Sequence, residues 1–404
     1  MLKRISITQL RMGMYIHRFC GSWLDHSFLK AGFLLNSQRD YQRLRCSALS
    51  GLWIDLSRGL DVLQEVAQED PSIRVASMNT VVAPAFDAPP QQVPREEELQ
   101  RALKLCAHSK AAVMAMFQEV RLGQAIEMEQ VDGLVKDIST SLVRHPDALI
   151  SLARLKTSDD YTYMHSVAVC ALMVSVARQL GLTQEQVHQA GIAGLLHDIG
   201  KLAIPENILN KPAKLSANEY EQVKRHPVAG GAILRQNPQL SALVLDVCLH
   251  HHEKIDGSGY PHGLAGAQIS LYAQMGAVCD VYDAVTSNRP YNQGWDPAEA
   301  LQRMSSWTGH LSQSVLQALV KSIGIYPVGS LVRLSSGRLA VVIEQHPESL
   351  LRPKVKVFFS ARSKQHLPQS IVDLARSDEE RIVARESPEN WNFRKLEQLW
   401  NGTS

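Results

Sequence analysis

The stretch Leu195-Leu196-His197-Asp198-Ile199-Gly200-Lys201 decides the fold, because it sets a His-Asp pair at the end of an apolar helix. Adjacent helical residues point about 100° apart, so His197 and Asp198 can face two sides of one small cluster. The imidazole offers a nitrogen ligand, and the carboxylate has two oxygens that can bridge two cations. Gly200 predicts the helix end, and Lys201 should project near the cluster, where its charge suits an anionic substrate oxygen. Taken alone, such a pair is more often a partly buried histidine beside a capping aspartate.

A run of three histidines is the second signal, in His250-His251-His252-Glu253 at the end of another predicted helix. Three successive imidazoles are costly to bury unless their rings have ligands or hydrogen bonds. The alternative is a polar helix end that faces solvent. The loop that follows, Asp256-Gly257-Ser258-Gly259-Tyr260-Pro261, has two glycines and a proline, which allow tight backbone geometry. By itself, this composition indicates only a loop.

Three further residues can complete a metal site. His165 lies in the apolar helix predicted for residues 163–176, where a lone histidine is more often a satisfied core residue. His226 precedes a proline, so the helix should break or kink there and aim the ring away from an ordinary helix face. Asp280, with Asp283 about one turn later, lies in an otherwise apolar helix and needs a partner. A salt bridge or a helix cap would also satisfy Asp280.

Taken together, these residues predict a dinuclear metal site. Several helices would each place a nitrogen or carboxylate ligand into one bundle core, which is how helical bundles build such sites. Nitrogen and oxygen ligands without thiolates favour Fe or Mn, and less selectively Ni, Co or Zn. Two metals a few ångströms apart can hold a bridging hydroxide as nucleophile and stabilise the oxygens of a phosphoryl centre. The residues therefore indicate a metallohydrolase for an anionic ester, with a phosphate favoured, and leave the substrate open.

Length and composition are those of a soluble globular protein with more than one domain. At about 150 residues per domain, the 404 residues suggest two or three domains, and 45% hydrophobic with 20% charged residues is an ordinary mixture. Lys and Arg number 42 against 40 Asp and Glu, a formal net charge of +2. This near-balance argues against a dedicated nucleic-acid binder, which would carry a basic excess for phosphate contacts. No DNA partner is expected.

The cysteines and the hydropathy pattern indicate a reducing, cytoplasmic location. The six cysteines form no CxxC pair, which excludes a zinc knuckle or a thioredoxin-type motif. Their place within apolar runs predicts buried thiols. No apolar stretch reaches the roughly 18 residues of a membrane span. The start, Met1-Leu2-Lys3-Arg4, lacks the apolar run of a secretory signal.

Helical and strand patterns divide the chain into regions. The predicted fold class is mainly α, a helical-bundle catalytic domain with a small α+β domain before it and a small β domain after it. Alternating pieces near residues 5–7, 14–16 and 52–56 predict strands, and a helix is expected over 37–48. The regions are an N-terminal α+β domain (1–80), a Pro/Ala-rich linker (81–94), a helical connector (95–139), the metallohydrolase domain (140–325), a small β domain (326–376) and a charged tail (377–404).

Two helix starts carry cap signals. Ser216-Ala217-Asn218-Glu219 fits a capping box, with a serine N-cap and a glutamate three residues later. In Asp296-Pro297-Ala298-Glu299, an aspartate N-cap precedes a proline at the first helical position. Both stretches therefore predict the first turn of a helix.

The motifs, in this order and spacing, resemble the HD-GYP family, a branch of the HD metal-dependent phosphohydrolases. The resemblance covers roughly residues 140–325. The matching motifs are His197-Asp198-Ile199-Gly200-Lys201, Ile208-Leu209-Asn210-Lys211-Pro212, His226-Pro227, His251-His252-Glu253, Asp256-Gly257-Ser258-Gly259-Tyr260-Pro261, Asp280-Val281-Tyr282-Asp283-Ala284 and Arg289-Pro290-Tyr291. The resemblance implies an HD-type fold and hydrolysis of the bacterial second messenger cyclic di-GMP to the linear dinucleotide pGpG, with GMP as a further product left open.

The resemblance also implies a role for each matching residue. A metal-bridged hydroxide would attack one phosphorus in line with the departing 3′ oxygen. Asp198 would bridge two divalent metal ions, Fe or Mn above Ni, Co or Zn, and Lys201 would contact the scissile phosphate. Tyr260 and Arg289 would lie near the substrate. The implied metal ligands are His165, His197, Asp198, His226, His251, His252 and Asp280.

The chain departs from the family pattern at two places. Some family members place a glutamate four positions before the first histidine ligand, where it binds a third metal. Here that residue is Tyr161, whose phenol, with an ordinary pKa of about 10, is a poor ligand. Two metals are therefore expected. The family's Gly-Thr-His-Phe-Asp-Pro-like stretch is replaced by Thr308-Gly309-His310-Leu311-Ser312-Gln313, so its local contact is expected to be lost. His250 lies outside the pattern and is expected behind the ligands or at the surface.

Residues 1 to about 75 resemble an uncharacterised domain that precedes HD-GYP modules in bacterial proteins. The resemblance rests on Leu10-Arg11-Met12-Gly13-Met14-Tyr15-Ile16 and on Gly21-Ser22-Trp23-Leu24. It implies an architecture and names no ligand for this region.

Two other functions stay open. The chain can be a signalling module that binds cyclic di-GMP, or docks a protein partner through the Gly259-Tyr260-Pro261 loop, with negligible turnover. Binding without product would indicate that function. The chain can also be an HD hydrolase of another nucleotide, such as a deoxynucleotide triphosphate or an alarmone, which a substrate panel would reveal. A homodimer is compatible with the sequence.

Overall fold

The computed structural model describes most of the chain in two separate units. The described residues are 2–5, 9–20, 32–45, 51–60, 93–155, 161–209, 211, 213–287, 294–346, 348–393 and 396–401. One compact unit is formed by Met1–Ala85 and the other by Phe86–Ser404. Most of the predicted Pro/Ala-rich linker lies outside the described residues.

The first unit is a small antiparallel sheet with one helix. Its strands are β1 (Leu2–Ile5), β2 (Tyr15–Cys20), β3 (Phe33–Leu34) and β4 (Gly51–Asp55), and its helix is α1 (Gln38–Arg45). The strand order is β1-β4-β2-β3. Leu52 and Ile54 are fully buried and separated by one residue, as the period of a strand requires. The α+β character predicted for this region is confirmed.

The second unit begins with a helical domain, which confirms the mainly α fold class. Its helices are α2 (Arg95–Arg121), α3 (Met128–Arg144), α4 (Pro146–Ala153), α5 (Tyr161–Gln179), α6 (Gln184–Leu196), α7 (Glu206–Leu209), α8 (Ala217–Val223), α9 (His226–Leu234), α10 (Ala242–His250), α11 (Leu271–Thr286), α12 (Pro297–Ser306) and α13 (Gln313–Ile323). Among the described residues, none of these helices combines the length and the apolar character that crossing a bilayer requires.

Helix α5 is the centre of the helical domain. It packs against α6, α11 and α13, and its middle is buried on every side, as expected for a helix that is apolar all round. Gly194 of α6 lies against Cys170 of α5, so closely that an added Cβ would meet the Cys170 Cα at 2.9 Å. The glycine therefore lets the two helices approach at the level where α6 ends.

The two predicted helix starts are confirmed. The Glu219 N–H donates to Ser216 Oγ at 3.3 Å, and the Ser216 N–H donates to a Glu219 carboxylate oxygen at 2.7 Å. Asp296 accepts hydrogen bonds from the N–H groups of Ala298 at 3.0 Å and Glu299 at 3.1 Å. Both caps satisfy N–H groups that the first helical turn leaves without partners.

A five-stranded antiparallel sheet follows the helices. Its strands are β5 (Leu331–Leu334), β6 (Arg338–His346), β7 (Ser349–Ser360), β8 (Gln365–Asp373) and β9 (Ile382–Arg385), in the order β8-β7-β6-β5-β9. Strand β9 pairs with β5, so the sheet extends past residue 376, where the small β domain was expected to end. The predicted charged tail therefore contributes one strand of the sheet.

The sheet is attached to the helical domain by polar contacts. A carboxylate oxygen of Asp147, in α4, accepts a hydrogen bond from the Gln345 N–H at 2.7 Å. Arg154 donates to the Val328 carbonyl at 3.0 Å and lies over the Trp400 ring at 5.4 Å. Arg95, at the start of α2, donates to the Trp400 carbonyl. The last described residues of the chain are thus held against its first long helix.

A small cavity lies where the helical domain meets the chain that leads into the C-terminal sheet. Its lining includes Ser151 of α4, Tyr282 and Asp283 of α11, and Pro327 and Val328 before β5. The C-terminal part of the chain therefore lines part of a cavity that reaches helix α11.

Candidate metal centre

Three helices and the residues that directly follow two others carry the seven predicted metal ligands. His165 lies in α5 and Asp280 in α11, while His197 and Asp198 directly follow α6. The remaining ligands are His226, which begins α9, and His251 and His252, which follow α10. The structure brings all seven side chains into one cluster, where His252 alone is partly exposed.

The seven residues form two groups that share Asp198. One group contains His165, His197, Asp198 and Asp280, and the other contains Asp198, His226, His251 and His252. In each group, one nitrogen or carboxylate oxygen per residue lies within 4.8 Å of the others. The arrangement thus offers two adjacent sites, each with four ligand residues.

The two oxygens of Asp198 face different groups. Oδ2 lies 3.4 Å from His165 Nε2 and 3.3 Å from His197 Nε2. Oδ1 lies 3.2 Å from His226 Nε2 and 3.7 Å from His251 Nε2. Because each oxygen belongs to a separate group, one carboxylate can hold two cations.

Asp280 also faces both groups. Its Oδ1 lies 3.0 Å from His165 Nε2, whereas its Oδ2 lies 3.9 Å from His252 Nδ1. The Asp280 side chain therefore lies next to both ligand groups, on the side of the cluster that α11 forms.

Hydrogen bonds behind the rings fix the direction of four histidines. Nδ1 of His197 lies 2.8 Å from the Gly194 carbonyl, and Nδ1 of His226 lies 2.7 Å from the Val223 carbonyl. Nδ1 of His251 lies 3.0 Å from the Cys248 carbonyl. An acceptor at Nδ1 fixes the proton there and leaves Nε2 free to bind a metal.

The fourth of these histidines has a carboxylate behind it. Nδ1 of His165 lies 2.6 Å from Oδ2 of Asp283, which is buried in α11. Asp283 was noted in the sequence only as a neighbour of Asp280 and was absent from the predicted site residues. Its spacing of one turn from Asp280 was the available signal, but its partner is visible only once α5 lies against α11.

A glycine allows His226 and Asp198 to come together. A Cβ on Gly200 would lie 1.9 Å from the His226 carbonyl oxygen and 2.3 Å from the Gly230 nitrogen. The 3-10 turn Ile199–Ala203 therefore packs directly on the backbone of α9. Only glycine fits this contact, which explains its place two residues after Asp198.

Burial and charge set the protonation of the cluster. Burial alone would raise the pKa of Asp198, but Lys201 and the imidazoles hold it well below its usual range. Burial lowers the pKa of His165, yet the surrounding carboxylates outweigh that effect and raise it to about 10. Burial, aided by neighbouring imidazoles, lowers the pKa of His251 to about 4, and it also lowers that of His252. Asp198 is therefore ionised and His251 and His252 are neutral, the forms that bind metals, whereas His165 would have to release a proton to bind a cation.

The donor set fits a pair of divalent cations. Nε2 of His197 and Oδ1 of Asp198 are buried and have no hydrogen-bond partner within the described part of the chain. Buried polar atoms without partners are rare, and one cation in each ligand group would satisfy these two atoms. The nearby Cys248 belongs to neither ligand group, so neither group contains a thiol. The residues therefore provide nitrogen and oxygen ligands suited to Fe, Mn or similar metals.

Two of the predicted substrate-binding residues lie beside the cluster. Lys201 is partly exposed, and its Nζ donates to Oδ2 of Asp198. The Tyr260 ring stacks on the His252 ring, with the centroids 4.7 Å apart and an angle of 24° between the planes. Arg289 lies outside the described residues, and so does the side chain of Tyr161.

Glu253 holds the loop that contains Tyr260. It is buried, and its carboxylate accepts hydrogen bonds from the N–H groups of His262 at 2.7 Å and Leu264 at 3.1 Å. A Cβ on Gly259 would lie 2.4 Å from the Lys254 nitrogen, so the loop folds back onto its own start. The sequence marked Glu253 only as the end of a motif, since its partners lie nine and eleven residues later.

Two other expectations concern the edge of the site. Backbone contacts to the 308–313 stretch are present, because the Asp256 N–H donates to the Gly309 carbonyl at 2.8 Å. His250 lies outside both ligand groups, with Nδ1 2.7 Å from Asp246 and Nε2 3.1 Å from Nδ1 of His262. It thus links α10 to the end of the loop.

Family models match three parts of the chain. An HD domain matches residues 138–315, a domain of unknown function matches residues 2–131, and a KOW domain associated with HD domains matches residues 331–393. Together with the two ligand groups, these matches define an HD-domain protein with a companion domain on each side.

Curated relatives narrow the class. A cyclic di-GMP phosphodiesterase of Pseudomonas aeruginosa is 58% identical over 404 residues, which cover 100% of this chain and 96% of the relative. The cyclic di-GMP phosphodiesterase response regulator RpfG of Xanthomonas campestris is 46% identical over 140 residues, 34% of this chain and 36% of the relative. A 3′3′-cGAMP-specific phosphodiesterase of Vibrio cholerae is 36% identical over 183 residues, 44% of this chain and 42% of the relative. The chain belongs to the same family as the Pseudomonas aeruginosa phosphodiesterase, which it matches over its whole length. The resemblance to the HD-GYP family that the sequence motifs indicated is confirmed.

Proposed function

We propose that this protein is a metal-dependent phosphodiesterase that hydrolyses cyclic di-GMP to the linear dinucleotide pGpG at a dinuclear centre. The observation that carries the proposal is the division of Asp198 between two four-residue ligand groups. The substrate is taken from the full-length relative, whose name specifies cyclic di-GMP.

The chain supplies the ligands, and the cations supply Lewis acidity. His165, His197 and Asp280 would hold one cation with Asp198, while His226, His251 and His252 would hold the other. When bound, a pair of divalent cations activates water and neutralises charge on a phosphodiester. Fe and Mn are the metals proposed, because the ligands are nitrogen and oxygen.

The remaining site residues act on the substrate. Lys201 carries a positive charge beside Asp198, where it can bind a phosphate oxygen and stabilise the charge that develops during attack. Tyr260 lies next to the second ligand group through its stacking on His252. Its pKa is raised by burial, so the phenol stays neutral and can approach an anionic substrate without repulsion. Glu253 and Asp283 keep the loop and the His165 ring in place.

The product is expected to be pGpG. A third metal would need a ligand at residue 161, where the chain has tyrosine. A neutral phenol is a poor metal ligand, so the centre is proposed to hold two metals and to release the linear dinucleotide.

The test is a product assay on protein that is purified without oxygen and loaded with Mn or Fe. Cyclic di-GMP and 3′3′-cGAMP are supplied separately, and chromatography separates the linear dinucleotides from the mononucleotides. His197→Ala should abolish turnover, whereas His108→Ala, a change at an exposed histidine of α2, should leave it intact.

Each outcome of the assay decides between functions. Production of pGpG by the wild-type and His108→Ala proteins, and its absence with His197→Ala, would support the proposal. Preferential cleavage of 3′3′-cGAMP would keep the phosphodiesterase function but make 3′3′-cGAMP the substrate in place of cyclic di-GMP. Tight binding of cyclic di-GMP by metal-loaded protein without any product would contradict the enzymatic function and indicate a binding module.

A further inference from the structure

Two tyrosines and a lysine form a surface next to the metal centre, here called the tyrosine–lysine surface. It consists of Tyr220 and Lys224, from α8 and the residue that follows it, and of Tyr260 from the loop. Nζ of Lys224 lies 5.5 Å from the centroid of the Tyr260 ring and 5.7 Å from that of the Tyr220 ring. Because the Tyr260 ring stacks on His252, the surface is continuous with the second ligand group.

The outer end of this surface is an exposed aromatic ring. Tyr220 is 50% exposed, and helix α8 buries none of its residues. A helix without a buried face must be held by other contacts, and here Lys211 donates to both carboxylate oxygens of Glu219, at 2.8 and 2.7 Å. The capping box at Ser216 fixes the same turn. Tyr220 is therefore presented to solvent on a turn that the capping box and the Lys211–Glu219 pair hold in place.

The charge of Lys224 is available to an anion. Its Nζ lies 2.8 Å from a carboxylate oxygen of Glu221, whose side chain is 63% exposed. Exposed ion pairs of this kind contribute little to stability. A phosphate oxygen can compete with such a partner, since charge-assisted hydrogen bonds to phosphate are strong.

The size of the substrate requires a second binding region. A cyclic dinucleotide has two phosphodiester groups and two purine bases, and only one phosphorus can lie at the metal centre during attack. The other half must lie on the surface around the opening. The exposed Tyr220 ring suits a purine, because nucleic-acid bases stack favourably on aromatic side chains.

We propose that the tyrosine–lysine surface binds the half of the cyclic dinucleotide that is not being cleaved, with Tyr220 stacked on a purine base and Lys224 paired with the second phosphate. This inference rests on the proposed function and adds a specificity subsite to it. Stacking accepts any purine, since every base has a π face. The surface therefore selects cyclic dinucleotides from small phosphodiesters, and it contributes equally to cyclic di-GMP and 3′3′-cGAMP.

The test compares binding and turnover in full-length, metal-loaded protein. The variants are Tyr220→Ala, Tyr220→Phe and Lys224→Gln, with Lys104→Gln of an exposed lysine in α2 as the matched control. Calorimetry gives the Kd of a non-hydrolysable phosphorothioate analogue of cyclic di-GMP. Steady-state kinetics give kcat/KM for cyclic di-GMP, for 3′3′-cGAMP and for bis(4-nitrophenyl) phosphate, a small diester without bases.

A specific pattern of losses is expected. Tyr220→Ala should raise the Kd about tenfold, the equivalent of 1.4 kcal/mol of lost stacking, and Tyr220→Phe should restore most of it because the ring remains. Lys224→Gln should raise the Kd and reduce its dependence on salt concentration. In Tyr220→Ala and in Lys224→Gln, kcat/KM should fall more for the two cyclic dinucleotides than for the small diester. The fall should be the same for cyclic di-GMP and for 3′3′-cGAMP.

Other results would overturn the subsite. Wild-type cleavage of cyclic di-GMP together with unchanged Kd values in Tyr220→Ala and Lys224→Gln would reject the subsite while leaving the proposed function intact. An equal loss of kcat/KM for the cyclic dinucleotides and for the small diester would show that the variant damages the metal centre. That result would also reject the subsite. If the wild-type protein cleaves the small diester but neither binds nor cleaves cyclic dinucleotides, the proposed function itself is wrong.

Discussion

Asp198 differs from every other ligand because it belongs to both ligand groups. Asp198→Asn should therefore reduce the binding of both metals, whereas His251→Ala should reduce the binding of one. Elemental analysis after metal loading should give close to zero metal per chain for the first variant and close to one for the second. Equal metal loss in the two variants would contradict the sharing of Asp198.

Asp283 is a positioning residue that acts through His165. Its carboxylate lies 2.6 Å from Nδ1 of His165, and partners of this kind typically change metal affinity or activity 10–100-fold when they are lost. Asp283→Asn should weaken metal binding by about that factor, as measured by competition with a chelator. Asp246→Asn is the matched control, since its histidine partner, His250, lies outside both groups. A loss of equal size in the control would indicate a general effect on folding.

For individual residues, the sequence predicts well which residues belong to the site, but predicts poorly which residues contact one another. The seven proposed ligands could be named because their motifs resemble those of a known family, whereas a lone histidine such as His165 is not recognisable by itself. The bond between His165 and Asp283 joins residues that are 118 positions apart, and no local pattern encodes it. Glu253 was likewise visible in a motif, but its loop partners were not.

The approach of α5 to α6 depends on a glycine. A Cβ at Gly194 would meet backbone atoms of Cys170 at 2.9 and 3.0 Å, and overpacking of this kind costs about 1–3 kcal/mol. Gly194→Ala should lower the free energy of unfolding by that amount and weaken metal binding, because His165 lies on one of the two helices that must separate and His197 directly follows the other. Denaturant unfolding and chelator competition measure the two effects.

A second glycine gives the control for this prediction. Gly133, in α3, has no atom within 4 Å of an added Cβ. Gly133→Ala should raise the free energy of unfolding by roughly 0.5–1 kcal/mol, because alanine is the better helix former. A stabilising effect at Gly194 would show that the helices have room to spare.

Element boundaries were predictable where the signal is local. The capping box at Ser216 needs only residues three positions apart, and both hydrogen bonds are present. Strand β9 was missed because its pairing partner, β5, lies about 50 residues earlier. A charged composition gave no sign that Ile382–Arg385 would continue a sheet.

The C-terminal part of the chain stabilises the helical domain through Trp400. Its ring is buried under Arg154, and its carbonyl accepts a hydrogen bond from Arg95. Trp400→Ala should lower the free energy of unfolding by about 3–5 kcal/mol, the usual cost of removing a large buried side chain. Val383→Ala, at a side chain that is 53% exposed, should change it by less than about 0.5 kcal/mol. Thermal unfolding of both variants checks the difference, and equal melting temperatures would contradict the stabilising role of Trp400.

Because of the cavity next to α11, the catalytic region cannot simply be transferred to another protein without the C-terminal part of the chain. Asp283 lines that cavity and also holds the His165 ring, while Pro327 and Val328 form part of the same wall. A graft that stopped at residue 325 would remove Pro327 and Val328 from the lining and should open the cavity beside Asp283 to water. Fusion proteins and domain transplants that aim to keep the metal centre must therefore carry the chain through Trp400.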